Sequence, residues 1–192
     1  MKKTIIIIGL GNPGKQYHFT RHNIGKDFLA WFASYYQEII IQEDNNAAYF
    51  IHDEKEIITY YVMPRISMNI SGQIFEIPIL KKICQNKENQ PIILVIHDDL
   101  QLSFGTFKLR IHKDRGPRGH NGNRSIITSL QKIQGAAYQQ PYYLSIGIDR
   151  PGDGDVARWV LEKFSHGEQA QIETMFTIIH NELTTFLISV SP

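Results

Sequence analysis

Apolar residues along the chain recur in two different periods, and the two patterns alternate. Short runs rich in isoleucine, valine and aromatic residues predict buried or half-buried β-strands. The first of them, Ile5 to Ile8, is bounded by a glycine-rich turn. The predicted strands cover residues 4–10, 39–42, 48–52, 57–63, 92–96, 106–111 and 143–148.

Segments with apolar residues three and four positions apart separate these runs and predict amphipathic helices. One covers residues 23–36, with Asn23 placed as its N-cap. Another begins at Ser165 and Glu168, which form a capping-box pattern. Its predicted buried face consists of Ile172, Met175, Phe176, Ile179, Leu183 and Phe186. Further helices are predicted at 123–132 and 155–164, and at 71–83 with an interruption at Pro78.

This order of elements predicts an α/β fold. Strands that alternate with helices favour a largely parallel sheet, while the consecutive strands between residues 39 and 63 add antiparallel pairing, so the sheet is expected to be mixed. A chain of 192 residues is about the size of one domain, and we expect a single domain over 1–192.

Composition narrows the class of protein further. The 42% hydrophobic and 20% charged residues are ordinary for a globular chain, and one cysteine, Cys84, excludes an internal disulfide. The run of isoleucines near the N-terminus ends at Gly9 without a cleavage pattern, and no apolar run is long enough to span a membrane. A soluble, cytoplasmic protein without membrane association is expected.

The glycine-rich turn after the first strand matches a dinucleotide-binding pattern in letters, from Gly9 to Gly14. In that motif a helix follows at once and directs its N-terminus at the pyrophosphate. Here eight irregular residues, 15–22, separate the glycines from the predicted helix, and no acidic residue stands about 20 positions on. Nicotinamide binding is therefore disfavoured, and a turn that projects Asn12 is the alternative.

Two segments at strand ends carry acid–base groups. His22 stands just before a helix, and Asp98 and Asp99 follow the buried strand 92–96, at the sheet edge where α/β sites form. A histidine can act as a base near neutral pH when a carboxylate orients it. A hydrogen-bonded structural histidine, and acids that cap a turn or bind a cation, are the alternatives that these residues leave open.

Asparagines mark two further junctions, Asn69 before Ser71 and Asn121 in a glycine-rich loop. A neutral amide both donates and accepts hydrogen bonds, which suits recognition of a peptide group. Asparagine is equally common in turns because its backbone tolerates unusual angles, so both interpretations stay open.

Charge is unevenly distributed although the chain as a whole carries +1. Residues 105–125 contain six basic residues and one acidic residue, a net +5, while the remaining 14 basic and 18 acidic residues give −4. Such a basic segment favours contact with a phosphate backbone, and a solvated basic loop is the alternative.

Five motifs, taken in order, resemble the bacterial peptidyl-tRNA hydrolase family over nearly the whole chain. They are Gly9-Leu10-Gly11-Asn12-Pro13-Gly14 with Tyr17, Thr20-Arg21-His22-Asn23, Met68-Asn69-Ile70-Ser71-Gly72, His97-Asp98-Asp99-Leu100 and Gly119-His120-Asn121-Gly122. The resemblance implies a monomeric α/β domain with a twisted mixed sheet flanked by helices on both faces. It also implies hydrolysis of the ester between a peptide and the terminal ribose of tRNA, without metal or cofactor.

The same resemblance implies roles for particular residues. His22 matches the catalytic base and Asp98 the carboxylate that orients it. The implied substrate contacts are Asn12, Tyr17, Met68, Asn69, His120 and Asn121, and the implied contacts to the tRNA end are Lys108 and Arg110. The charge of the basic segment adds Lys113, Arg115 and Arg118 as expected contacts to tRNA phosphates.

The chain departs from the family pattern at three positions. Ser67 stands where an aromatic residue is usual, and Arg118 replaces a usual glycine. Ser145 replaces an arginine that is expected to help hold tRNA, so we expect that Ser145→Arg would tighten tRNA binding. A nicotinamide oxidoreductase, a non-catalytic RNA-binding module and a metallohydrolase built on His22, Asp98 and His120 are the rival classes.

Overall fold

A single mixed sheet organises the chain. The computed structural model describes residues 2–35, 41–110, 119–152 and 154–190. Its strands are β1 (Lys3–Gly9), β2 (Gln42–Glu43), β3 (Ala47–Asp53), β4 (Ile57–Pro64), β5 (Ile92–Asp99), β6 (Phe107–Arg110) and β7 (Tyr142–Gly147). They lie in the order β2-β3-β4-β1-β5-β7-β6. The four central strands are parallel, and β2, β3 and β6 pair antiparallel at the edges, so the predicted mixed sheet is confirmed.

Five α-helices accompany the sheet in the described residues. They are α1 (Ile24–Tyr35), α2 (Pro78–Gln85), α3 (Asn121–Gln134), α4 (Val156–Leu161) and α5 (His166–Ser189). Short 3₁₀ helices cover Lys15–Tyr17, Arg21–Asn23, Met68–Glu76 and Gly135–Ala137.

Helices cover both faces of the sheet because β1 is buried on both sides. Ile5 and Ile7 pack with α1 and α5 in one apolar cluster, while Ile6 and Ile8 pack with α2, α3 and the 68–76 segment in the other. Alternate residues of a strand point to opposite faces, so four consecutive isoleucines supply both cores. The α/β fold with helices on both faces is confirmed.

The C-terminal helix follows its sequence pattern closely. Ser165 and Glu168 form a reciprocal capping box at the start of α5. All six predicted core positions of this helix are buried. In the part of the chain that the structure describes, no helix is both long and apolar enough to cross a membrane.

Other local predictions are wrong in detail. The predicted helix 71–83 is a 3₁₀ segment followed by α2, because Pro78 begins the new helix at its first turn, where its missing N–H costs nothing. Asn23 does not cap α1: it lies within a 3₁₀ turn, and its side chain binds the backbone of Asn12. The predicted strand 39–42 is represented by β2 from Gln42, and residues 39 and 40 lie outside the described ranges.

The glycines after β1 serve close packing of α1 against the turn. A Cβ at Gly9 would lie 2.4 Å from the carbonyl oxygen of Gly25, and one at Gly11 would lie 2.6 Å from Cβ of Lys26. The space that a dinucleotide would need beside these glycines is filled by the helix itself.

Candidate active site

The candidate site lies where β1 and β5 end side by side. These parallel strands pair up to Gly9 and Ile96, so the loop after β1 and the acidic end of β5 share one edge of the sheet. Gly25 allows the start of α1 to approach this edge, since a Cβ there would lie 2.2 Å from the carbonyl oxygen of Ile96. The 3₁₀ turn Arg21–Asn23 therefore brings His22 next to Asp98.

Asp98 accepts hydrogen bonds from two histidines. Its Oδ1 lies 2.8 Å from Nδ1 of His22 and 2.9 Å from Nε2 of His120. The side chain of Asp98 is only 3% exposed, and the two imidazole centroids are 4.9 Å apart. One carboxylate oxygen thus fixes both rings.

These contacts set which nitrogen carries the proton in each ring. His22 donates through Nδ1, which leaves Nε2 with its lone pair, and Nε2 has no hydrogen-bond partner among the described residues. In His120, Nδ1 accepts from the backbone N–H of Asn123 at 3.3 Å as the N-cap of α3, while Nε2 donates to Asp98. Of the two, only His22 presents a free basic nitrogen, and its side chain is 16% exposed.

The charges reinforce this arrangement. Burial by itself would lower the pKa of His22, but the charge of Asp98 and its hydrogen bond outweigh burial and raise that pKa above the ordinary value. Burial would raise the pKa of Asp98, yet the imidazoles of His120 and His22 hold it well below its usual range. The site therefore contains a fixed anion beside a base whose charged form is stabilised.

A third histidine lies behind the first two. His97 is 1% exposed, and its Nδ1 donates to the carbonyl oxygen of Asp98 at 2.7 Å. Its Nε2 accepts from the hydroxyl of Ser145 at 3.1 Å. Burial, together with the nearby imidazole of His120, lowers the pKa of His97 to about 4, so this ring is neutral at physiological pH.

Hydrogen bonds through Asn12 and Asn23 hold the loop after β1 in place and connect it to Met68. The side chain of Asn23 accepts from the backbone N–H of Asn12 at 2.8 Å and donates to its carbonyl oxygen at 3.0 Å. Asn12 in turn accepts from the backbone N–H of Met68 at 2.9 Å through Oδ1. The carboxamide of Asn12 is therefore held in place, with its oxygen already engaged.

An open groove adjoins these residues, between the 68–76 segment and α3. Asn69 and Asn121 line it at the end near Met68, and both are exposed. Polar side chains continue along it, including Arg124 and Ser125. The Oγ of Ser125 accepts from the backbone N–H of Gly72 at 2.9 Å, which joins the two walls. The groove offers amide and hydroxyl groups to a bound chain.

Comparison with known proteins identifies the family. The chain matches the family described as Peptidyl-tRNA hydrolase over residues 6–190. It is 33% identical over 183 residues to the peptidyl-tRNA hydrolase of Clostridium perfringens, covering 93% of this chain and 88% of that protein. It is 38% identical to the Rickettsia prowazekii protein, covering 85% and 83%. The chain belongs to the peptidyl-tRNA hydrolase family.

Solved structures agree with this assignment. The crystal structure of peptidyl-tRNA hydrolase from Acinetobacter baumannii aligns with a TM-score of 0.72 at 29% identity, over 92% of this chain and 85% of that one. The family resemblance and the enzyme class expected from the five motifs are confirmed, and an oxidoreductase or a non-catalytic RNA-binding module no longer competes.

In this member of the peptidyl-tRNA hydrolase family, most of the predicted site residues lie together. His22, Asp98 and His120 form one hydrogen-bonded group, and Asn12 binds Met68 directly. Met68 is buried beside α3, where a Cβ at Gly122 would lie 2.5 Å from its sulfur.

Tyr17 makes only local hydrogen bonds among the described residues. It lies in the 3₁₀ turn after the glycines and is half-buried. Its backbone carbonyl accepts from the hydroxyl of Thr20 at 2.8 Å. Its role in binding substrate stays a prediction.

The predicted tRNA contacts are described only in part. Lys108 is exposed on the edge strand β6, while Arg110 is half-buried with Nη2 3.4 Å from Oδ2 of Asp99. Lys113, Arg115 and Arg118 lie outside the described residues. Asp99 also accepts from the backbone N–H of Gln101 at 2.9 Å, so this acid serves a turn.

The structure does not support the expectation for position 145. Ser145 is 1% exposed in the interior strand β7, opposite His97 of β5 and bonded to it. An arginine here would place its guanidinium beside a buried neutral imidazole, at a large desolvation cost. Ser145→Arg is therefore not expected to tighten tRNA binding. Ser67, by contrast, is exposed before the 68–76 segment.

The three central side chains are also of types that bind metals. Donor atoms of His22, Asp98 and His120 lie within 4.8 Å of one another. The nitrogens that face Asp98 lie at hydrogen-bond distances of 2.8 and 2.9 Å from its Oδ1, so each keeps its proton and donates it in a hydrogen bond to that oxygen. The arrangement is that of an acid–base network.

Sequence reasoning missed two groups of residues in this peptidyl-tRNA hydrolase family member. The His97–Ser145 pair depends on the pairing of β5 with β7, which no local pattern shows. Arg21, adjacent to His22, is buried against residues near the other end of the chain, Glu168 among them. The capping-box pattern marked Glu168 as structural and gave no sign of this second partner.

Proposed function

We propose that the protein hydrolyses the ester between a peptide, or an N-blocked amino acid, and the 3′-terminal ribose of tRNA, with His22 as the general base. One observation carries the mechanism: Nδ1 of His22 is committed to Asp98, while Nε2 is free and partly exposed. A base needs this arrangement, because a neutral imidazole accepts a proton only at the nitrogen that lacks one.

In the first step a water molecule gives a proton to Nε2 of His22, and its oxygen attacks the ester carbonyl carbon. The carbonyl π electrons move onto oxygen and form a tetrahedral oxyanion. Asp98 stabilises the imidazolium that results, since the bond from Nδ1 becomes charge-assisted. Collapse of the oxyanion breaks the bond to the ribose 3′ oxygen, which takes the proton back from Nε2.

Neutral amides supply the remaining contacts in this proposal. Asn69 donates to the developing oxyanion from the rim of the groove. The Oδ1 of Asn12 already accepts from Met68, so its amide nitrogen is the group that remains to bind the carbonyl of an N-blocked substrate. Tyr17, Met68, His120 and Asn121 complete the substrate site, with His120 also holding Asp98 in place.

The basic segment holds the tRNA, with phosphate contacts assigned to Lys108, Arg110, Lys113, Arg115 and Arg118. Cations placed along one segment of a nearly neutral chain concentrate affinity for a polyanion there. The enzyme is proposed to act in the cytoplasm as a monomer, as one catalytic domain over 1–192 and without a cofactor, and to release free tRNA for reuse in translation.

The proposal is tested by replacing His22 and a matched neighbour. His22→Ala is expected to lower hydrolysis of N-blocked aminoacyl-tRNA by at least about 100-fold, because general-base catalysis typically supplies about 10² to 10⁴-fold. The tRNA affinity should stay within a few-fold. His18→Ala, an exposed histidine on the same loop, serves as the control and should retain parental activity. Near-parental turnover by His22→Ala would remove His22 from the mechanism.

Substrate discrimination tests the role of Asn12. Asn12→Asp retains an acceptor for Met68 but replaces the amide donor by a second carboxylate oxygen, so binding of a substrate carbonyl is lost. The ratio of rates on N-blocked and free aminoacyl-tRNA is expected to fall. A drop in both rates with an unchanged ratio would limit Asn12 to holding the loop.

Metal-dependent hydrolysis at His22, Asp98 and His120 is the alternative function, because two imidazoles and a carboxylate can bind a metal ion. It requires the two nitrogens facing Asp98 to lose their protons and turn to an ion. Prolonged treatment with a chelator, followed by assay in metal-depleted buffer, separates the two. Full activity supports the acid–base mechanism, and a loss restored by a divalent ion supports the alternative.

A further inference from the structure

We propose that Arg21 and Glu168 are positioning residues for His22, through a partly buried ion pair that joins the start of α5 to the catalytic turn. The proposal rests on the proposed function, since it takes His22 as the base. Arg21 directly precedes His22 and is only 5% exposed. Its two terminal nitrogens lie 2.8 and 3.2 Å from the two carboxylate oxygens of Glu168, a bidentate pairing.

Aromatic rings complete the enclosure of the guanidinium. Its central carbon lies 3.9 Å from the ring centroid of Trp159 and 4.8 Å from that of Phe164. A planar guanidinium fits both a fork of two oxygens and a ring face, and lysine fits neither as well. Arg21 is thus held in one orientation, with little of its surface open to a ligand.

Glu168 is also held in place by contacts within α5, independently of Arg21. It occupies the third position of α5, where its Oε2 accepts from the backbone N–H of Ser165 at 2.7 Å. The hydroxyl of Ser165 accepts in return from the N–H of Glu168. The carboxylate that binds Arg21 is therefore held by the capping box at the start of α5.

The backbone before His22 is clamped from two further sides. Arg21 donates its N–H to the carbonyl of Glu162 at 3.0 Å, and Phe164 donates to the carbonyl of Phe19 at 3.0 Å, which makes a short antiparallel bridge. On the other side, the N–H of Phe19 binds Oδ2 of Asp27 in α1 at 2.9 Å. Phe19 has a φ of 59°, an angle that a non-glycine residue keeps only when its surroundings impose it.

The ion pair and these backbone hydrogen bonds together hold the main chain at His22 in place. The 2.8 Å bond from Nδ1 to Asp98 fixes the ring only if the main chain at residue 22 stays in place. A shift of about 1 Å in a catalytic group can cost about 100-fold in rate. Loosening Arg21 should therefore lower the chemical rate without touching the tRNA-binding surface.

The test compares Arg21→Lys with Arg158→Lys. Arg158 pairs with Glu162 at 3.0 Å but has a side chain 80% exposed, so it controls for loss of a guanidinium from an ion pair. For Arg21→Lys we expect kcat to fall about 10 to 100-fold while KM for peptidyl-tRNA stays within about three-fold. The acidic limb of the pH–rate profile should move to lower pH, because a loosened bond to Asp98 stabilises the imidazolium less. Arg158→Lys should match the parent in all three.

Two results would overturn the proposal. An increase in KM with kcat unchanged would make Arg21 a substrate contact. A lowered Tm together with parental kcat and pH profile, measured well below that Tm, would make the pair purely structural. If Arg21→Lys does not fold, Glu168→Gln takes its place: the glutamine oxygen at the Oε2 position preserves the capping box, while the amide nitrogen at the Oε1 position cannot accept from Nη1 of Arg21, so the bidentate ion pair is lost.

Titration of the His22 ring by NMR, without substrate, separates failure of this proposal from failure of the proposed function. A lower His22 pKa in Arg21→Lys supports the positioning role even if His22→Ala remains active. An unchanged His22 pKa overturns that role whatever the base proves to be.

Discussion

Asp98→Asn tests the acid–base network with the smallest change in shape. An asparagine oxygen at the position of Oδ1 can still accept from His22 and His120, which bind that atom at 2.8 and 2.9 Å. What disappears is the negative charge. The variant therefore isolates the electrostatic part of the interaction with His22.

The expected magnitude follows from the hydrogen bond itself. A bond to a charged group contributes about 1.5–3 kcal/mol and a neutral one about 0.5–1.5 kcal/mol, so the His22 imidazolium loses about 1–2 kcal/mol. Since one pKa unit corresponds to about 1.4 kcal/mol, the pKa of His22 should fall by about one unit. If the transition state loses the same stabilisation, the rate falls about 5 to 30-fold, less than for His22→Ala.

The assay is single-turnover hydrolysis of an N-blocked aminoacyl-tRNA between pH 5 and pH 9. Asp98 raises the pKa of His22 in the parent, so its removal should move the acidic limb to lower pH. Asp99→Asn is the matched control, because that neighbouring carboxylate faces Arg110 and Gln101 instead. An acidic limb that stays in place would refute the electrostatic role of Asp98.

Three further outcomes are expected. The double variant Lys108→Ala, Arg110→Ala should raise KM for peptidyl-tRNA and reduce the slope of log affinity against log salt by about one per lost contact. An unchanged slope would place the tRNA elsewhere on the protein. So would an equal loss of activity on a blocked amino acid attached to a short oligonucleotide. Ser145→Arg should lower the free energy of unfolding by about 3 kcal/mol or more, as seen in denaturant titration, since it buries a charge in β7; a stable variant with tighter tRNA binding would contradict the burial argument. Burial raises the pKa of Asp27 from 3.8 to about 6, so the parent loses about 2–3 kcal/mol of stability as pH rises from 4 to 7. Asp27→Asn lacks this ionisation and should gain that much stability relative to the parent over the same pH range. Tm curves that run parallel for the two proteins would contradict this.

Predictions from sequence succeeded where neighbours along the chain decide the structure. The capping box and core face of α5 are set by residues three or four positions apart, and both follow the pattern. The four consecutive isoleucines of β1 likewise predict a buried strand, and this strand is buried on both faces. Such features need no knowledge of the rest of the fold.

Predictions failed where a distant partner competes with a local one. Asn23 has the side chain of an N-cap, but the free backbone groups of Asn12 bind it instead. Ser145 looked like the loss of a surface cation, yet the neighbour of β7 in the sheet is β5, which places it against His97. The pairing of Arg21 with Glu168 spans 147 residues and has no local signature at either end.

The surroundings of the three histidines explain why one of them suits the role of base. His97 is enclosed, and burial keeps it neutral, with both nitrogens occupied by Asp98 and Ser145. His120 uses one nitrogen for Asp98 and the other for the N–H of Asn123, so a second proton would displace the cap of α3. Only His22 combines an open nitrogen with a carboxylate that stabilises its charged form. The acidic limb of the pH–rate profile should therefore have the slope of a single ionisation, and a slope of two would mean that a second histidine titrates with His22.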